Sequence, residues 1–273
     1  MHPLKMIARP YVVRVAVCAA ACLFALLPAL CGAGCENDTT ASTSLAASGG
    51  EGSRAVTFTT EDGVTLGGHL FGSGSAGVVL AHMYPADQTS WFATAERLAQ
   101  EGYLVFTFDF RGYGESEGDK DIDQLDKDVS AAVGALADAG ATEAVLIGAS
   151  MGGTACLIAA EKNNLWRMLS SQYPAPGIPV TGVVTLSAPV EFRGLSAKDA
   201  VPGLQIPLRF IAAEDDAGAA GARELQELYA GNGDLHVLPG DGHGTELLDG
   251  EAADQVWDLL AGFLRAHLGP TQR

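Results

Sequence analysis

A serine set between small residues, a run of three carboxylates and a histidine set between glycines follow one another along this chain: Ser150, then Glu214-Asp215-Asp216, then His243. A serine hydroxyl is a poor nucleophile near neutral pH and needs a base to take its proton as it attacks. Imidazole titrates in the range where it can both take and return that proton. The imidazole needs a carboxylate to fix its tautomer and stabilise its cation. Together the three residue types are the parts of an acyl-transfer centre. Taken alone, Gly148-Ala149-Ser150-Met151-Gly152 is also what a tight turn with a bystander serine looks like, so the surrounding elements must decide.

Residues 144–147 form an apolar run that reads as a buried strand, and 154–162 read as a helix. Gly148-x-Ser150-x-Gly152 therefore falls at a strand-to-helix junction. A sharp turn there needs small residues on both sides of the serine. It pushes the hydroxyl out above the strand's carboxyl end, close to helix N-terminal N–H groups that favour a developing negative charge. The carboxylate run follows a strand expected at 207–213, and Gly242-His243-Gly244 follows one expected at 234–238.

The other strands are expected at 55–60 and 64–71, a hairpin about Glu61-Asp62-Gly63, and at 77–82, 103–110 and 182–187. Helices are expected at 92–101, 122–139, 219–230 and 251–268, from apolar residues recurring at three- and four-residue spacing. Residues 163–181, with three prolines, read as a loop holding at most one helical turn, and 188–205 as a short polar loop. From residue 77 onward strands alternate with helices, and most strands are continuous apolar runs. This predicts an α/β domain: a mostly parallel sheet of about eight strands, covered by helices on both faces, with the antiparallel hairpin at its edge. In such sheets the site lies beyond the strands' carboxyl ends, which is where Ser150, the carboxylates and His243 fall. His236 sits within a strand and His267 near the chain end, so neither fits the base; His69 reads as a surface residue of its strand.

The 273 residues carry a formal net charge of −17, which argues against a nucleic-acid partner and against a polybasic membrane patch. The domain holds one cysteine, Cys156, expected to be a buried small hydrophobe, so neither a disulfide nor a cysteine-based zinc site is expected there. The first residues differ in character. Lys5, Arg9 and Arg14 precede a short apolar run that ends near Pro28, as in an export signal. Gly32-Ala33-Gly34-Cys35 resembles a bacterial lipobox, with Gly32 where an aliphatic residue is usual. That resemblance implies a signal peptide over 1–34, lipidation of Cys35 and anchoring on the outer side of the bacterial cytoplasmic membrane; plain secretion and an uncleaved anchor are the alternatives. Removing the leader leaves 13 basic against 33 acidic residues, a net of −20. Residues 35–53 have almost nothing to bury and read as a flexible tether to a domain over 54–273.

The domain resembles the α/β-hydrolase-fold serine hydrolases over nearly all of 54–268. The matching pieces are Gly148-Ala149-Ser150-Met151-Gly152, Leu80-Ala81-His82-Met83-Tyr84-Pro85, Asp109-Phe110-Arg111-Gly112-Tyr113-Gly114-Glu115-Ser116, the acidic loop and Gly242-His243-Gly244. The resemblance implies Ser150 as nucleophile, His243 as base and Asp216 as the acid, with Asp215 the runner-up. It implies an oxyanion hole from the N–H groups of Met151 and Tyr84, and no metal or organic cofactor. Met83 departs from the glycine that many relatives have in that loop. His82 and Asp109 are expected to be structural, Asp109 through Arg111 or nearby N–H groups. With only 188–205 available as a lid, the site is expected to be open and to suit small or accessible acyl substrates. Tyr84 could line it, and Trp91 could either line it or pack on the following helix. Ester cleavage is the expected reaction, with amide or peptide cleavage on the same triad, or an inactive surface binding protein, as alternatives.

Overall fold

The computed structural model describes residues 52–169, 177–231 and 233–269. The expected signal peptide, Cys35 and all but the last residues of the expected tether lie outside them.

The chain runs β1 (Arg54–Thr59), β2 (Thr65–Phe71), β3 (Ala76–Ala81), α1 (Phe92–Gln100), β4 (Leu104–Phe108), α2 (Leu125–Asp138), β5 (Glu143–Ala149) and α3 (Met151–Leu169). It continues with β6 (Val180–Leu186), the short strands β7 (Glu191–Phe192) and β8 (Leu195–Ser196), β9 (Leu208–Ala213), α4 (Gly218–Leu228), β10 (Asp234–Leu238) and α5 (Ala253–His267). The main sheet has eight strands in the order β1-β2-β4-β3-β5-β6-β9-β10. The β1–β2 hairpin is antiparallel, in register from Arg54 opposite Leu70 to Thr59 opposite Thr65, and β2 meets β4 antiparallel. Every other pairing is parallel. This is the α/β architecture that the alternating pattern calls for.

Period-two alternation explains why the central parallel strands are mostly apolar. Val79, Leu146 and Phe210 join a core with α2, α3 and α4, while their neighbours Val78, Ile147 and Ile211 join the opposite core with α1 and α5. Buried Cys156 belongs to the first of these, and burial pushes its thiol up, so it is inert packing.

Three expectations change. The helix after Ser150 runs on to Leu169, through residues expected to be a loop. Asn163 does not stop it: its amide donates to the Ile178 carbonyl (3.1 Å) and accepts from the Val180 N–H (3.1 Å), tying the helix to the start of β6. Residues 188–205 are not a polar loop. Val190, Leu195, Ala197, Val201 and Leu204 are buried there, and the charged residues lie between them, Glu191 and Arg193 on a small hairpin and Lys198 and Asp199 in the turn before a 3-10 turn. His69 is buried rather than on the surface. The segment after β4 folds over β2, bringing Glu115 to 3.6 Å from His69 Nε2, while Ser53 Oγ lies 3.1 Å from Nδ1.

Candidate active site

The turn between β5 and α3 is built on glycine. A Cβ at Gly148 would lie 2.5 Å from backbone atoms of Gly152, and one at Gly152 would lie 2.5 Å from the carbonyl oxygens of both Ala81 and His82. The turn therefore packs backbone on backbone, against the end of β3. Ser150, between them, is held at φ 46°, a left-handed conformation that non-glycine residues rarely take. Its N–H donates to the Leu186 carbonyl (2.7 Å), and its carbonyl accepts from the N–H groups of Gly153 and Thr154, which begin the helix. A methyl at Gly152 meets backbone it cannot push aside. Gly152→Ala is expected to cost about 1–3 kcal/mol of stability and to displace Ser150 enough to lower kcat about a hundredfold. Denaturant unfolding and ester kinetics on one preparation check both.

Ser150 Oγ lies 2.8 Å from His243 Nε2, and His243 Nδ1 lies 2.9 and 3.0 Å from the two carboxylate oxygens of Asp216. A carboxylate only accepts, so Nδ1 carries the proton and the bare Nε2 accepts from the serine hydroxyl. Of the acidic loop, Asp216 is the residue that reaches the imidazole. The N–H groups of Glu214 and Asp215 are spent on the Leu238 and Gly240 carbonyls, and their side chains are exposed. Gly218 leaves room for the Asp216 carboxylate, which a Cβ there would meet at 2.5 Å. His243 caps the 3-10 turn Gly244–Leu248, its N–H donating to the Glu246 carboxylate (3.0 Å).

Met83 has a use. Its sulfur lies where a Cβ on Gly244 would come within 2.6 Å, and Thr245 Oγ1 lies 3.8 Å from it. The residue in place of a glycine thus packs under the histidine loop. Beside it His82 is fully buried, with Nδ1 3.0 Å from the Met83 carbonyl and Nε2 accepting from the Phe110 N–H (3.1 Å). Burial pushes its pKa down, in keeping with a neutral ring that donates on one side and accepts on the other. These bonds fix the loop that presents Tyr84. Met151 opens α3, so its N–H has no partner within the helix. The two N–H groups expected to serve an oxyanion thus sit on adjacent strand ends, β3 and β5.

Asp109 is structural, as expected, but through more partners than its sequence neighbourhood suggests. It accepts from the Gln88 N–H and side-chain amide (both 2.8 Å) and from the Glu115 N–H (2.9 Å). Arg111 turns the other way. Its backbone N–H and Nε bond Asp128 (2.9 and 2.8 Å), and its Nη atoms bridge Asp128 and Asp62. Asp128 sits beside Leu125 and Val129 on the buried face of α2, and an acid interrupting that apolar face is the signal in the sequence that could have found it. Trp91 is fully buried with α1 in the core and does not line the site. Tyr84 does lie at the rim, 36% exposed.

Ser150 is itself buried, while the His243 side chain beside it is partly exposed. The β7–β8 hairpin is the nearest thing to a lid, held by Thr154 Oγ1 donating to the Pro189 carbonyl (2.7 Å) and by close packing of Gly153 on Ala188. Grooves of about 540 and 620 Å³ are lined elsewhere and include none of Ser150, Asp216 and His243.

Comparison with known proteins agrees with this fold. A family model described as the alpha/beta hydrolase fold matches residues 78–204, the stretch from β3 through the hairpin. A segment of 115 residues is 31% identical to the uncharacterized protein YfhR of Salmonella typhi, covering 38% of this chain and 39% of that one. A segment of 93 residues is 38% identical to bifunctional epoxide hydrolase 2 of Sus scrofa, covering 33% of this chain and 17% of that one. The matches thus span well under half the length of these curated relatives. Among solved structures, the Pyrococcus furiosus esterase Pf2001 superposes with a TM-score of 0.62 at 22% identity, over 80% of this chain and 91% of that one. The chain has the alpha/beta hydrolase fold.

Proposed function

We propose that this protein is a serine hydrolase that cleaves carboxylic esters through an acyl-enzyme on Ser150. The observation that carries the reading is the unbroken hydrogen-bonded line from Asp216 through His243 to Ser150 at a strained turn. Ser150 Oγ attacks the ester carbonyl carbon as His243 Nε2 takes its proton. The tetrahedral oxyanion is held by the N–H groups of Met151 and Tyr84, preorganised donors of a kind worth about 2.7–4 kcal/mol each in the transition state. Collapse breaks the bond to the alcohol, which leaves with the proton from His243. Water then gives its proton to His243 and attacks the acyl carbon, and the carboxylic acid departs as Ser150 regains its proton. Asp216 keeps Nδ1 protonated throughout and stabilises the transient imidazolium.

The short β7–β8 hairpin, the nearest thing to a lid, supports small or accessible acyl groups. The test is turnover of 4-nitrophenyl acetate beside a matched panel of aminoacyl amides. Faster ester cleavage by at least tenfold is expected; equal or faster amide cleavage would replace the ester reading with an amidase one, and turnover of neither would overturn both.

The leader and tether support export and a membrane anchor through lipid on Cys35. Palmitate labelling in a lipidating bacterial host is expected to mark the full chain and to be lost in Cys35→Ala. An unlabelled parent chain would refute the anchor.

A further inference from the structure

The β7–β8 hairpin turns on two residues, Arg193 and Gly194, with φ of 48° and 94°. A two-residue turn with both φ positive is the type I′ hairpin, whose first position favours asparagine, aspartate or glycine. Arginine there is strained, and a strained residue that the turn does not require asks for another reason to be present. Its side chain offers one. The guanidinium carbon lies 4.4 Å from the centre of the Tyr84 ring and 5.4 Å from that of Phe192, and those two rings are 5.8 Å apart. A cation–π contact of this kind helps to hold an arginine in place while leaving N–H groups of its fork available.

Among the described residues no carboxylate comes within 4.0 Å of Arg193, in a chain with 33 acidic and 16 basic residues. The same holds for Lys120, whose ammonium lies 4.0 Å from the Tyr113 ring centre; that ring in turn packs on His82, in the Tyr84 loop. Two cations without a carboxylate partner among the described residues therefore rest on aromatic rings of the loops around Ser150. The position relative to the nucleophile is fixed from both sides. The hairpin is tied to α3 at Thr154, and Tyr84 follows His82 and Met83, which pack on Gly152 and Gly244.

We propose that Arg193 selects substrates that carry a carboxylate or similar anionic group near the scissile ester, by a charge-assisted contact at the mouth of the site. The inference rests on Ser150 being the esterase nucleophile. The anion's two oxygens match the planar fork, and the exposed Glu191, Glu214 and Asp215 would repel an anion that lacked this contact. Arg193 is a specificity-determining residue: it takes no proton and forms no bond to the reacting carbon.

The experiment uses the full-length protein and two matched ester pairs, each corrected for uncatalysed hydrolysis. One pair places the charge on the acyl side, 4-nitrophenyl butyrate against mono-4-nitrophenyl glutarate. The other places it on the alcohol side, phenyl acetate against 4-carboxyphenyl acetate. The readout is the anionic-to-neutral ratio of kcat/KM. A ratio of about ten or more is expected in at least one pair, reduced about tenfold or more in Arg193→Gln and partly kept in Arg193→Lys, as loss of one charge-assisted hydrogen bond implies. If Arg193 is only a clasp holding the hairpin on Tyr84, both esters of a pair fall together and the ratio stays put, which overturns the proposal. No anionic preference in either pair also overturns it. Labelling the same preparations with a fluorophosphonate separates the failures: Ser150 labelled without anionic preference refutes Arg193 selection alone, whereas an unlabelled, inactive, folded protein refutes the esterase reading and this inference with it.

Discussion

Ser150→Ala is expected to lower kcat on 4-nitrophenyl acetate by about 10⁵–10⁶-fold, as losses of this kind of nucleophile do, while leaving the protein folded. Among the described residues Ser150 Oγ makes one hydrogen bond, to His243, so removing it leaves no buried charge and breaks no core packing. His243→Ala is expected to cost nearly as much, and the double variant little more than either single one, because nucleophile and base act as a unit. The multiplied losses of independent sites would instead mean that Ser150 and His243 do not share a step. Initial rates of the three variants beside the parent, with circular dichroism on each, decide this. A Ser150→Ala protein that keeps more than about a tenth of parental activity would remove Ser150 from the reaction.

The largest expected effect on stability lies away from the reacting atoms. Arg111→Met is expected to destabilise the domain by about 3–5 kcal/mol, measured by denaturant unfolding. The guanidinium is nearly buried and bonds Asp128, which is fully buried, so the substitution strands a carboxylate with one backbone N–H left to it. The paired variant Arg111→Met with Asp128→Leu removes both charges and is expected to recover much of the loss. Asp62 gives the same network a pH signature. Hydrogen bonds from Arg111 first, and from Thr60 next, hold its carboxyl well below the usual carboxylate range. A depressed folded-state pKa contributes stability that is complete above the unfolded value, near 3.8, and is lost as pH falls below it towards the folded one. Acid unfolding of the parent is therefore expected to include a loss beginning below about pH 4, and Asp62→Asn is expected to flatten that limb. An identical acid limb in Asp62→Asn would show that the pair is screened by solvent, as partly exposed pairs often are.

The sheet is legible because parallel strands buried on both faces must be largely apolar, and residues 77–81, 144–147 and 210–213 are continuous runs of that kind. Ser150, the acidic loop and His243 are legible because each follows such a strand, where polar residues have no packing reason to be. Choosing Asp216 within Glu214-Asp215-Asp216 needs resemblance or coordinates, since sequence does not say which of three adjacent carboxylates turns inward. Contacts between segments far apart in the chain leave still less trace. Gln88 under Asp109 and the Arg111–Asp128–Asp62 bridge are of that kind, as is the loop that buries His69. The end of α3 is hidden for a different reason: the three prolines that make 163–181 read as a loop begin only at Pro174, while the Asn163 amide is spent on the start of β6 and the helix continues. The hairpin at Arg193 is too short for periodicity to reveal, and its alternation of charged and buried residues reads as plain polarity.

The central claim, that Ser150 is an activated nucleophile, is tested most directly by a fluorophosphonate probe on the full-length protein, followed by peptide mapping. The expected result is one adduct per chain on Ser150, absent from Ser150→Ala, slowed strongly in His243→Ala and prevented by prior unfolding. A folded protein that never labels, or that labels equally well at other serines after Ser150→Ala, would contradict it.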